Sequence, residues 1–241
     1  MLDLGQGAYA NLAATIEPST LAATLVSHLH PDHFIDLVPL RHYLKWEFDP
    51  SRRVPVHAPA GLAERLDALS GEPGFTAAAL DVEALAEGVC RIGPFEIEVR
   101  RVVHTEESYA FRIVADAGAW SGGSSGAGRA GGSGAAVSAS RASGAGLVYS
   151  GDCGRAGDLL PLIRAGDTLL SEASFGAGPA VPGAGHITSG DAARVAASGG
   201  AVRLLLTHLL SGHSRPEALA AARGVFAGPV QFVTEGDRFE I

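Results

Sequence analysis

The octapeptide Val26-Ser27-His28-Leu29-His30-Pro31-Asp32-His33 sets the tightest limits on how this chain can fold. In an extended segment, side chains two residues apart point the same way, so His28 and His30 can share one metal ion. Pro31 cannot continue the strand and is well suited to the first turn of a helix. Asp32 and His33 then stand on that turn and can face a second site beside the first. The run predicts a strand, a sharp corner and a helix, with cations held at the corner.

Three further segments end a predicted strand on a ligand-type residue. They are Val102-Val103-His104, Tyr149-Ser150-Gly151-Asp152 and Leu205-Leu206-Thr207-His208. Polar loops at strand ends are where a rigid scaffold carries its chemistry. Imidazoles and carboxylates without thiolates suit Zn²⁺, with Mn²⁺ or Fe as alternatives. Cys153, next to Asp152, reads as a small buried residue. Of the nine histidines, His42 and His57 lack a ligand pattern around them and read as structural, and His213 as a loop residue.

Around these points the chain alternates between short apolar strands and helical segments. Strands are expected over 24–27, 54–57, 95–102, 168–171, 203–207 and 230–233, and helices over 34–46, 61–69, 189–197 and 216–226. Thr188 with Asp191 resembles a capping box, Gly199-Gly200 a helix stop, and Pro216 a first-turn proline. The alternation indicates an α/β architecture. Residues 115–146 interrupt it with 27 Gly, Ala or Ser among 32 positions. So little apolar surface cannot offset the entropy of ordering, which predicts a flexible low-complexity insertion in a hairpin between strand-like flanks at 109–114 and 147–149. The reading is of a single domain, 1–241, carrying that insertion.

The set His28, His30, Asp32, His33, His104, Asp152 and His208 resembles the metallo-β-lactamase superfamily in residue type and order. The segments SHLHPDH, VVHTEESYAFRI, YSGDCG, LLSEASF, GHITSGDAA and LLLTHLL are similar to the ribonuclease Z branch. The resemblance implies an αββα sandwich with two zinc ions at one edge. His28, His30 and His104 would hold one, Asp32, His33 and His208 the other, and Asp152 would bridge them. Glu172 and His186 occupy positions that assist the leaving group in that branch. In relatives, a segment like LDLGQGAYANL follows an opening strand pair, so the resemblance also implies missing N-terminal strands, a bare sheet edge and part of the core uncovered.

The function expected is metal-dependent hydrolysis of a phosphodiester, with Asp32, Glu172 and His186 as catalytic residues. Alternative readings keep the fold and change the bond to a small ester, lactone or thioester, or make the chain a truncated, non-catalytic metal-binding relative. The substrate expected is a small molecule or a short phosphodiester. Ribonuclease Z enzymes often carry a tRNA-gripping arm where this chain has its Gly/Ala/Ser tract, whose only cations are Arg129 and Arg141, so tRNA is not expected. A net charge of −8 also argues against a broad nucleic-acid footprint. No apolar run is long enough for a membrane span, no signal-peptide pattern opens the chain, and two cysteines make no disulfide framework. A cytoplasmic protein with reduced thiols is the resulting expectation, with a homodimer left open.

Overall fold

Strand alternation and helix faces sort the apolar residues into three layers of core. A computed structural model of the chain describes residues 1–115 and 144–241. The insertion expected at 115–146 lies, apart from its ends, outside the described residues, and Arg129 and Arg141 with it.

The first half builds a small parallel sheet from β1 (Thr24–Leu25), β2 (Val54–Ala58) and β3 (Leu80–Ala84), in that spatial order. Helices α1 (Ala8–Thr15), α2 (Pro31–Phe34), α3 (Leu37–Trp46) and α4 (Leu62–Ser70) belong to this half. Leu12 of α1, Leu37, Leu40 and Leu44 of α3, and Leu62 and Leu66 of α4 pack on Val54, Val56 and Ala58. The second half forms a seven-stranded mixed sheet. Its strands are β4 (Gly88–Ile92), β5 (Phe95–Val102), β6 (Ser108–Ala115), β7 (Leu147–Tyr149), β8 (Thr168–Glu172), β9 (Arg203–Thr207) and β10 (Val230–Phe232). They lie in spatial order β10-β9-β8-β7-β6-β5-β4, with β4 through β7 antiparallel and β7 through β10 parallel.

Helices α5 (Ser189–Gly199) and α6 (Arg215–Arg223) cover one face of the large sheet. The opposite face meets the small sheet. Alternation along β6 shows the division, with Tyr109 and Phe111 in the cluster between the sheets and Ala110 in the helix-side core. The layers are therefore α, β, β, α, as the resemblance implied.

Several expectations are refined. The helix read over 34–46 is two helices, because the chain breaks at 35–36, where Asp36 turns its carboxylate to the Tyr9 amide (2.9 Å). Helix α1 and the strands β3 and β4 go beyond the sequence reading, since they are short and bury few of their residues. The capping box holds: Asp191 N donates to Thr188 Oγ1 at 3.1 Å and Thr188 N to Asp191 Oδ2 at 3.1 Å. Gly200 closes α5 at φ 78°, a conformation in which a side chain would be strained. The outer edge of β1 is not bare. Leu25 N donates to Met1 O and Asp3 N to Leu25 O, so residues 1–3 pair along it.

The hairpin on either side of the undescribed tract closes on a buried ion pair. Phe111 pairs with Tyr149 and Ile113 with Leu147. At its base Arg112 grips Asp167 through two bonds of 2.8 and 2.9 Å, and Asp167 also accepts from the Gly146 and Arg164 amides. Both partners are almost wholly out of solvent. Among the described residues, no helix is long and apolar enough to cross a membrane.

Candidate metal centre

Four segments converge where the two sheets meet. The corner between β1 and α2 supplies His28, His30, Asp32 and His33, and the turn after β5 supplies His104. The turns after β7 and β9 supply Asp152 and His208. All seven residues expected from the sequence meet here, in two groups: His28, His30, His104 and Asp152, and Asp32, His33 and His208. Within each group the candidate ligand atoms lie within 4.8 Å of one another.

Their spacing fits a cation better than a hydrogen-bond network. Ligands held about 2.0–2.1 Å from one tetrahedral ion stand about 3.3 Å from each other. His28 Nε2 is 3.0 Å from His30 Nδ1, which is 3.2 Å from His104 Nε2. In the second group, His208 Nε2 is 3.4 Å and His33 Nε2 3.7 Å from Asp32 Oδ2. Asp152 stands between the groups. Its Oδ2 is 3.7 Å from His28 Nε2 and 3.6 Å from His208 Nε2, and its Oδ1 is 3.6 Å from His33 Nε2. His33 Nε2 is buried with no hydrogen-bond partner, which a buried polar atom rarely tolerates unless something else satisfies it. A divalent ion would satisfy it.

The protonation states point the same way. Burial, aided by the neighbouring His33, pushes His28 down to about 2, leaving its imidazole neutral with a free lone pair. Burial lowers His104 as well. Burial would also lower His33, but the Asp152 and Asp3 carboxylates on either side outweigh it and carry it up to about 10. For Asp152, burial is outweighed by the surrounding imidazoles, chiefly His33, which hold it well below the usual carboxylate range. Without a cation, a proton on His33 does the neutralising that a cation would do.

The structure adds residues that sequence reasoning missed. Asp3, buried, accepts from Ser27 N (2.6 Å), Ser27 Oγ (2.8 Å), Tyr149 OH (2.6 Å) and the ring Nδ1 of His33 (2.7 Å). A carboxylate on the outer nitrogen of a ligating histidine fixes its tautomer and orientation. Asp3 (φ 48°) and His208 (φ 54°) are the two non-glycine residues with left-handed backbone among the described residues, and both adjoin the centre. Gly5 lets the opening segment lie against the corner: a Cβ there would stand 1.7 Å from the Asp32 carbonyl oxygen. Only the Asp-Leu-Gly at the start of the chain could have signalled these roles, and a three-residue pattern is too short to read alone.

Glu172 and His186 form a further pair at the margin, where His186 also groups with Asp152 and His208, its Nδ1 3.8 Å from Asp152 Oδ2. Glu172 is fully buried, accepts from Cys153 N (2.6 Å), and stands 3.1 Å from His186 Nδ1. That contact raises His186 above the ordinary imidazole range. Ser174 Oγ ties the pair to the centre, reaching His208 Nδ1 at 2.9 Å. Cys153 is buried, its thiol pushed up to about 12 by burial and directed at the Arg155 carbonyl. His42 caps back onto Val38 O, His57 faces Glu83, and neither approaches the centre.

A profile of the beta-lactamase superfamily domain matches residues 2–209. The chain belongs to the metallo-β-lactamase superfamily. An uncharacterized protein of Mycobacterium leprae is 32% identical over 249 residues, covering 100% of this chain and 78% of its own. A ribonuclease Z of Aeropyrum pernix is 28% identical over 268 residues, covering 95% of this chain and 85% of its own. Among solved structures, the metallo-beta-lactamase fold protein YhfI of Bacillus subtilis superposes with a TM-score of 0.78 at 24% identity, over 99% of this chain and 86% of that one. These similarities place the chain near the ribonuclease Z branch of the superfamily, with hydrolase activity and a divalent metal as its family chemistry.

Proposed function

We propose that the chain is a metal-dependent phosphodiesterase of ribonuclease Z-like type. In this reading His28, His30 and His104 hold one zinc ion, Asp32, His33 and His208 hold a second, and Asp152 is shared. The observation that carries it is the meeting of two donor groups at one buried carboxylate, Asp152, with half-buried His186 beside it and paired to buried Glu172. Similarity to a ribonuclease Z supports a phosphodiester as the bond cleaved.

A bound cation pair supplies Lewis-acid neutralisation of charge on phosphoryl oxygens and lowers the pKa of water toward neutrality. The remaining work falls to the protein. Asp32, whose side chain is 59% exposed, stands at the mouth and takes the proton of the attacking water. Glu172 occupies His186 Nδ1, which leaves Nε2 to donate to the departing oxygen. As the water oxygen bonds to phosphorus, the bond to the leaving alcohol breaks. One proton is gained at Asp32 and one lost at His186. With only Arg129 and Arg141 between β6 and β7, the substrate is a short or small diester and not a tRNA.

The test is turnover of bis(p-nitrophenyl) phosphate by zinc-reconstituted protein. Asp32→Ala should abolish it, and unchanged turnover at full metal content would refute the assignment. His186→Ala should slow diesters with alkyl leaving groups far more than nitrophenyl ones, because a good leaving group needs no proton. Hydrolysis of lactones but of no diester would make the chain an ester hydrolase instead.

A further inference from the structure

His186 also forms a wall of a cleft of about 450 Å³. The turn after Asp152 supplies Arg155 and Leu160 to it, the segment 180–183 supplies Val181, and α5 supplies Arg194 and Val195. Leu160 and Val181 are 42% and 49% exposed, large apolar side chains left in solvent where they converge on this one cleft. Arg194 is already tied to Asp191 at 2.5 Å. Arg155 is exposed and, among the described residues, its guanidinium has no hydrogen-bond or ion-pair partner.

Four groups among the described residues already surround the His186 ring. His104 lies 5.1 Å away edge-on, His208 stacks at 5.5 Å, Phe175 stands at 5.9 Å and Glu172 holds Nδ1. An oxygen that receives a proton from His186 must come within hydrogen-bond reach of Nε2. The group attached to that oxygen can then extend into this cleft, which borders the ring.

We propose that the cleft is the leaving-group pocket, and that it selects an apolar or aromatic alcohol bearing a negative charge. Val181 and Leu160 pack on the apolar body, and Arg155 pairs with the charge. This rests on the phosphodiesterase reading, but binding of the released alcohol tests it independently.

The probes are two phenols, 4-nitrophenol and 3-carboxy-4-nitrophenol, and the two methyl phosphodiesters that release them. Zinc-loaded wild-type protein should bind the carboxylated phenol about three- to five-fold more tightly, the range of an exposed ion pair. Arg155→Gln should bring that ratio to about one. Val181→Asp, an exposed substitution that leaves the fold intact, should weaken both phenols. The same preference should appear in the diesters, in KM more than kcat. A ratio unchanged by Arg155→Gln, or phenol binding indifferent to Val181→Asp, overturns the pocket. Binding with the expected preference but no turnover of either diester would refute the phosphodiesterase reading and leave the pocket standing. Turnover without any preference would do the reverse.

Discussion

Replacing Asp3 by Asn tests whether a residue that touches no metal sets the affinity of the second site. The side chain keeps its volume, but one oxygen becomes an amide donor. Asp3 faces four donor groups: Ser27 N on one oxygen, and Ser27 Oγ, Tyr149 OH and His33 Nδ1 on the other. Whichever way the amide turns, a donor meets a donor, either at Ser27 N or at His33. The two hydroxyls can rotate away, but a backbone amide and a ring N–H cannot. One buried group left unsatisfied costs about 1–3 kcal/mol, and for a domain of this size each kcal/mol is worth about 2–4 °C. A melting temperature lower by about 2–12 °C follows. Loss of the carboxylate behind a ligating histidine weakens metal binding about 10–100-fold, or roughly 1.4–2.7 kcal/mol. Competition against a zinc chelator should show one site weakened by that factor and the other nearly unchanged, because His28, His30 and His104 do not contact Asp3. Two zinc ions bound to Asp3→Asn as tightly as to wild type, with an unaltered melting temperature, would refute the reasoning.

Other outcomes follow from the same geometry. The metal-free protein should be most stable near pH 6.5. His33, raised on folding, contributes fully below that pH and loses its contribution as pH climbs toward about 10. His28, lowered on folding, contributes above it and loses its contribution as pH falls. Thermal melts across pH should therefore peak near neutrality, and zinc should flatten the alkaline limb by replacing the proton on His33; a melting temperature still rising at pH 9 without metal would contradict this. Asp167→Ala strands the Arg112 guanidinium in the interior and should cost about 3–5 kcal/mol in denaturant unfolding. A loss below about 1 kcal/mol would show that the hairpin base relaxes around the gap. Gly5→Ala should displace the corner carrying Asp32 and lower zinc affinity, which the same chelator titration measures.

The parts of this account that were readable in the sequence are those with a strong local signature. Pro31 after two alternating histidines marks the corner into α2, although the strand before it ends at Leu25 and not at Ser27, and the strands β5 and β9 carry enough apolar residues to announce themselves. Thr188 and Asp191 cap α5 by local bonds alone. What was illegible depends on long-range contact. Helix α1 buries little more than Leu12, so its pattern is faint. β3 alternates over only five residues and β4 is exposed along almost its whole length, so neither stands out from a loop. Asp3 gains its meaning from His33, thirty residues away, and from Tyr149, on another sheet. The break at Asp36 reflects a bond to Tyr9 that no helix propensity encodes. The cleft beside His186 is a property of surface shape, to which Arg155 and Val181 contribute from separate turns.

The central claim is that two cations share Asp152 at the meeting of the sheets, and zinc-edge anomalous diffraction from crystals of the zinc-loaded protein tests it most directly. Two anomalous peaks should appear, about 3.5–4 Å apart. One should lie among His28, His30 and His104, the other among Asp32, His33 and His208, with the Asp152 carboxylate reaching both. A single peak at saturating zinc, or a second one away from Asp32, His33 and His208, would contradict it.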